Sequence, residues 1–248
     1  MKREREWALP PTRRVIVAGN GPSAQTDAVH DWYAENIFRT NYFFLSEQDT
    51  LDYACTDWFI CQHDPSDFRA CVAFMRGIET HGGAGRSIVD APCFRFWIPG
   101  IDAHYSSAEV SKRLDGADVR VQRHFPRLPP ACRWEQDLAP ERPLMGSFAL
   151  AVAVGMQPDE LYVCGHDLFQ HPSKRNQGGM DHDTRPWQQD FVSEYVSNRH
   201  RNHTLRGDLK YIRAALDAYE GHLVCCGTVL KEYFARDYAA REWEWIDG

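Results

Sequence analysis

The sequence predicts an α/β protein: a Rossmann-like, mostly parallel sheet with helices on both faces and a lid segment. Two observations carry this. Short runs that are apolar at nearly every position recur along the chain, at Arg13–Ala18 (RRVIVA), Leu161–Gly165 (LYVCG) and His222–Cys226 (HLVCC). Such runs mark strands covered on both faces, because a half-exposed strand would alternate apolar with polar residues. Helical segments lie between them. The stretch from Met145 through GSFALAVAVGM is small and apolar throughout, as expected for a helix packed tightly on a sheet. Asp208–Glu220 (DLKYIRAALDAYE) places Leu209, Ile212, Leu216 and Tyr219 on one face, the pattern of an amphipathic helix. Strands alternating with helices imply parallel pairing through crossovers.

Taken in order, the first strand stops at a glycine and leads into Gly19-Asn20-Gly21-Pro22-Ser23. A helix is expected over Ala24–Glu35, with Pro22 suited to a first turn, where its missing N–H costs nothing. Strands follow at Ile37–Phe44 and Asp57–Gln62. The region from about Arg69 to Arg133 is poorly legible, apart from a charged helical stretch near Ser107–Leu114. Between Phe169 and His203 the chain turns polar and rich in His, Asp, Gln and Asn. A long irregular insertion after a strand's C-terminal end is where substrate lids usually sit. One domain over 1–248 with a lid at about 169–203 is therefore expected, with Gly178-Gly179 in a mobile part of that lid. Trp243 and Trp245, alternating with acids, read as an edge or interface element.

Composition narrows the function classes. A net charge of −7 argues against a general nucleic-acid binder, which needs a cationic surface. The start, MKREREWALPP, holds no apolar run of signal-peptide length, and no window approaches the roughly 18 apolar residues of a membrane span. The eight cysteines match no zinc module and read as buried thiols of a reducing cytoplasm. His166, His171, Asp181, His182 and Asp183 fit no familiar ligand spacing, so no metal is expected.

The turn Gly19–Ala24 fits the loose pattern G-x-G-x-x-A between a strand and a helix, where backbone amides can meet a phosphate. A nicotinamide cofactor would want an acid about 20 positions on to hold its ribose. The chain offers Arg39, Thr40 and Asn41 there, and Arg39 keeps an NADP-linked oxidoreductase open as the alternative. Asn20 and Asn41, at the ends of two expected neighbouring strands, suit the hydroxyls or base of a nucleotide-sugar better.

Four blocks carry a more specific resemblance: Val15–Ser23 (VIVAGNGPS) with Phe38–Asn41 (FRTN), Arg142–Gly146 with the helix after it, Leu161–Phe169 (LYVCGHDLF), and Asn202–Ile212 (NHTLRGDLKYI). In this order they resemble the bacterial sialyltransferases of glycosyltransferase family 42, over about two thirds of the chain. The resemblance implies a GT-A-like single nucleotide-binding domain. It also implies inverting transfer of a sialic acid or related nonulosonic acid from a CMP-sugar to a glycan hydroxyl, with no cofactor and no required metal. His203 would be the general base and Arg142 would engage the sugar carboxylate or the acceptor. Gly19, Asn20, Gly21, Ser23, Asn41, Gly146, Gly165 and Asp167 would surround the donor; Asp167 serves equally well as a helix cap. The acceptor would be an oligosaccharide or glycolipid, as in lipopolysaccharide synthesis. The setting would be cytoplasmic, with peripheral association at the inner membrane, and the protein a homo-oligomer.

The chain also departs from the family's pattern. Two tyrosines that serve the departing phosphate correspond to Phe169 and to the neighbourhood of Lys174 and Arg175, whose charge could do the same work. Tyr195 could otherwise swing in. A serine corresponds to Met145, and an asparagine to His63 or Asp64. An inactive CMP- or glycan-binding relative is thus a second alternative. His200, three residues before His203, is the decoy for the base.

Overall fold

The computed structural model describes residues 13–40, 51, 55–59, 94–97, 119–122, 128–132, 142–170 and 186–248. Eight strands form one sheet: β1 (Arg14–Ala18), β2 (Asn36–Thr40), β3 (Asp57–Phe59), β4 (Phe94–Trp97), β5 (Val119–Gln122), β6 (Glu160–Cys164), β7 (His222–Cys226) and β8 (Glu244–Ile246). Their order is β5-β4-β3-β2-β1-β6-β7-β8, and every neighbouring pair is parallel. The chain winds outward from β1 on one side and then returns to lay β6 on the other. Loops leaving the C-terminal ends of β1 and β6 therefore diverge, and such a switch point is where doubly wound sheets open a crevice.

The helices are α1 (Asp27–His30), α2 (Met145–Gly155), α3 (Pro186–Val196), α4 (Leu205–Asp217) and α5 (Thr228–Phe234). Helix α2 is buried from Ser147 to Val154 and packs on β1, β2, β3 and β6. No polar face is needed on a helix enclosed all round. Helix α4 packs against α2, starting where the Thr204 hydroxyl accepts from Gly207 N at 3.0 Å. That bond satisfies one of the helix's orphan amides. Alternation along β1 divides the interior: Val15 and Val17 join the core with α2, while Ile16 and Ala18 join Ala24, Val29, Cys164 and Cys226 in a second cluster.

Several expectations change. The helix expected over Ala24–Glu35 is a 3-10 turn at Pro22–Gln25 followed by the single turn of α1. Thr26, extended at φ −84° and ψ 152°, separates the two. The poorly legible middle holds β4 and β5, and the charged stretch at Ser107–Leu114 lies outside the described residues, as does Gly178-Gly179. The stretch expected as an irregular lid holds α3 in its second half. Trp243 directly precedes an edge strand, β8, and Trp245 lies within it, and both pack on the main core. Cys132, Cys164, Cys225 and Cys226 are buried thiols. Burial pushes Cys132 up to about 11 and Cys164 well above the ordinary thiol range, which keeps both protonated and inert. Among the described residues no helix is long and apolar enough to cross a membrane.

Candidate functional site

The loops after β1 and β6 are fastened to each other. Gly19 N donates to Cys164 O and Gly21 N to Gly165 O, each at 2.9 Å. A Cβ on Gly19 would stand well inside contact distance of Gly165 O, and one on Gly165 would do the same to Gly19 O. Gly165 also sits at φ +69°, a left-handed conformation that side chains disfavour. The glycines of the G-x-G turn thus serve, first, the close approach of two loops.

Ser23 and Asp167 complete this clasp. The Asp167 carboxylate, 3% exposed, accepts from Ser23 N and Ser23 Oγ through Oδ2, both at 3.0 Å, and Ser23 Oγ accepts from Gly165 N at 2.8 Å. A carboxylate at the amide end of the 3-10 turn suits that turn's dipole. Ser23 is fully buried with its hydroxyl both donating and accepting inside the fold. Of the residues expected around a donor, Ser23 is thus engaged in the clasp itself. Asp167 caps the turn before it in space rather than the segment after it in sequence, and one of its oxygens is committed there. Gly227, at the end of β7, closes the same corner, with its α-carbon facing Ser23 Oγ.

Asn20 stands at the rim of the clasp. Its amide donates from Nδ2 to Thr40 O at 3.0 Å, which fixes which end is nitrogen, since a carbonyl only accepts. Oδ1 is buried and finds no hydrogen-bond partner among the described residues. Asn41, Lys174 and Arg175 lie outside the described residues, as do His63, Asp64, His171, Asp181, His182 and Asp183. Among the described residues no three His, Cys, Asp or Glu side chains gather as a metal site. Arg39 is fully buried within β2, between β1 and β3.

A second cluster holds His203. Arg142 N donates to Asn202 O at 3.0 Å, and His203 Nδ1 lies 2.9 Å from Arg142 O. Because the carbonyl only accepts, Nδ1 carries the hydrogen and the lone pair of the neutral ring is on Nε2. His200 Nδ1 accepts from the backbone amides of Asn202 and His203, at 3.3 and 3.1 Å. Its ring stacks on that of His203, with centroids 5.8 Å apart. The decoy histidine is therefore the post that shapes the loop of the other. Phe191 presents its edge to both imidazoles, and Phe169 meets Phe191 and Tyr195 edge to face at 5.5 and 5.4 Å.

Asp208, which the sequence reading passed over, joins the elements around this cluster. Fully buried on α4, it accepts from Leu144 N at 2.9 Å, Ser147 Oγ at 2.5 Å and Tyr195 Oη at 3.0 Å. One carboxylate thus fastens the start of α2 and the lid helix α3 to α4. Burial pushes its pKa up to about 6, against the pull of those three hydrogen bonds. Tyr195 is fully buried and donates to Asp208. A signal existed in the sequence: Asp208 lies four residues before Ile212, on the buried side of the amphipathic helix, where a charge is anomalous.

The start of α2 bridges the two clusters. Gly146 lies against His166, which follows the β6 loop, while Leu144 is tied to Asp208 and Arg142 to His203. Of the expected residues, Gly19, Asn20, Gly21, Ser23, Gly165 and Asp167 come together on one side, and Arg142 and His203 on the other.

No protein-family model and no curated protein matches the chain. Solved structures do. CstII from Campylobacter jejuni, a sialyltransferase in complex with the substrate analogue CMP-3FNeuAc, superposes with a TM-score of 0.59 at 19% identity, covering 89% of this chain and 84% of that one. The same enzyme with a trisaccharide acceptor and CMP gives 0.57 at 18% identity, over 89% and 84%. The monofunctional α-2,3-sialyltransferase Cst-I from the same organism gives 0.61 at 14% identity, over 93% and 82%. This chain has the fold of those sialyltransferases. The Rossmann-like parallel sheet, expected from the apolar runs, is that fold.

Proposed function

We propose that this chain is an inverting glycosyltransferase that moves sialic acid, or a related nonulosonic acid, from a CMP-sugar to a glycan hydroxyl. Two things support the reading: the shared fold, whose solved examples hold CMP, a CMP-sugar analogue and an acceptor trisaccharide, and the anchoring of His203. The single observation that carries it is the 2.9 Å contact from His203 Nδ1 to Arg142 O. It holds the ring in the tautomer that a general base at Nε2 requires.

In this reading Nε2 takes the proton of an acceptor hydroxyl as its oxygen attacks the anomeric carbon. The bond from that carbon to the phosphate oxygen breaks, and CMP leaves with the electron pair. One displacement inverts the anomeric centre. The departing phosphate is already a stable anion, so the reaction needs no metal and no acid of unusual pKa. Asn20 Oδ1 offers an acceptor for a hydroxyl or base amino group of the nucleotide. Gly21 and Gly165 draw the β1 and β6 loops together beside the donor, Gly146 leaves the start of α2 open to it, and Asp167 holds the loop in place. Asn41 is proposed beside Asn20, and Lys174 and Arg175 as the cations facing the phosphate. Arg142 contributes through its main chain and, by proposal, through its guanidinium to the sugar carboxylate or acceptor. A peripheral membrane setting, a role in lipopolysaccharide synthesis and self-association belong to the same proposal.

A second reading, an inactive CMP-binding relative, is favoured by one observation. Phe169 turns its ring to Phe191 and Tyr195 and carries no hydroxyl for a phosphate. Incubation with CMP-sialic acid and a galactose-terminated acceptor, followed by CMP release, separates the two. Acceptor-stimulated release supports the transferase. Binding of CMP with no release supports the inactive relative.

A further inference from the structure

We propose that His166, with the first-turn amides of α2, binds a hydroxyl group of the transferred sugar; the inference rests on the CMP-sugar reading above and names one of its contacts. His166 is 5% exposed and its Nδ1 lies 2.9 Å from Cys164 O. By the argument applied to His203, Nδ1 carries the hydrogen and Nε2 the lone pair. Nε2 is buried and, among the described residues, makes no hydrogen bond. A buried acceptor left unmatched is costly, and native folds keep few of them without a reason.

The imidazole is wedged between two glycines. A Cβ on Gly146 would stand 2.9 Å from Nε2, and one on Gly19 would stand 3.4 Å from Nδ1. Only a residue without a side chain lets the ring lie against the start of α2. That start is itself unfinished: Leu144 supplies no side-chain cap, and no acceptor is found among the described residues for the amides of Met145, Gly146 and Ser147. Gly146 is partly exposed, so the corner can be reached from the helix side.

Amide donors and an imidazole acceptor therefore face one corner. A group that accepts from one and donates to the other satisfies both, and a hydroxyl does this. A carboxylate or phosphate would meet the Nε2 lone pair and would need the ring to take up a proton first. The corner lies between the clasp and the base: the ring lies against Gly19 on one side, and on the other Gly146 is four residues from Arg142, a chain length of at most about 14 Å. In the CMP-sugar reading that is the span of the transferred sugar.

The test is calorimetric titration with CMP and with the analogue CMP-3FNeuAc, using wild type, His166→Phe and His166→Gln. The phenylalanine variant keeps the ring's bulk without its nitrogens, and the glutamine variant keeps an acceptor. The inference expects equal CMP affinity in all three proteins. It expects analogue binding about tenfold or more weaker in His166→Phe, with most of it restored in His166→Gln. Proton uptake, measured in buffers of different ionisation enthalpy, should be the same for both ligands. Equal analogue affinity in all three proteins would mean that Nε2 serves only a resident water, and would overturn the inference while the CMP-sugar reading stands. Equal weakening of CMP would assign His166 to the scaffold and overturn it too, and uptake of an extra proton with the analogue would replace the hydroxyl by an anion. Wild type that binds neither ligand would remove the functional reading and this inference together.

Discussion

The imidazole of His203 hangs from the main-chain carbonyl of Arg142, with Nδ1 2.9 Å from the oxygen, while the same arginine's amide donates to the carbonyl of Asn202. The proposed base is thus held by backbone, from a segment 61 positions away in sequence. Side-chain substitution at Arg142 leaves those two bonds in place. Arg142→Ala is accordingly expected to lower turnover through substrate contact, with the fold's melting temperature changed little. A large loss of stability would show instead that the guanidinium holds the scaffold.

His200 shapes the loop that carries the base by accepting from two successive amides. His200→Ala removes the stacked ring and the one acceptor that serves both amides. Turnover should fall about tenfold through misplacement of His203, with CMP affinity unchanged, and His200→Asn should recover part of the loss by accepting one of the amides. Steady-state kinetics alongside CMP titration checks this, and loss of CMP binding in His200→Ala would refute it.

Asp208 makes stability depend on pH in a defined direction. Its folded pKa, about 6, is above the ordinary aspartate value. The folded state therefore binds the proton more tightly than the unfolded chain does. Its contribution is fully present below about pH 4 and is lost as pH rises through about 6. Asp208→Asn keeps oxygen acceptors for Leu144 and Ser147 but cannot titrate. Wild type should gain stability relative to this variant as pH falls from 7 to 4, by roughly 1–3 kcal/mol. Denaturant unfolding across that range tests it, and a constant difference would refute the assignment.

The clasp between the β1 and β6 loops should tolerate no side chain at Gly165. Its φ of +69° and its contact with Gly19 O act together. Gly165→Ala should cost at least about 1–2 kcal/mol. Gly155→Ala, in the last turn of a regular helix, serves as the control. Equal stability of the Gly165 and Gly155 variants would show that the clasp yields easily.

What could be read in the sequence follows from which signals are local. The β1, β6 and β7 strands announce themselves because residues such as Val15–Ala18 and Leu223–Cys226 are buried on both faces and so apolar without interruption. The β4 and β5 strands, FRFW and VRVQ, carry arginines within four-residue runs and give no such signal. The helix expected over Ala24–Glu35 fails at Thr26, whose extended backbone nothing in the local pattern marks. At the site, the glycine turn and His203 were legible from motif order. The Ser23–Asp167 clasp, the Asp208 hub and the His200 post were not. Each joins residues distant in the chain or uses a polar side chain for scaffolding, and only the folded arrangement reveals which polar groups face one another.

The measurement that bears most directly on the central claim is single-turnover transfer from CMP-sialic acid to a galactose-terminated acceptor, in wild type and His203→Ala, with CMP affinity determined for both. Loss of the base should slow transfer by about 10²–10⁴-fold while CMP binds equally well. Transfer at the same rate in both proteins would contradict the account, whatever the fold they share.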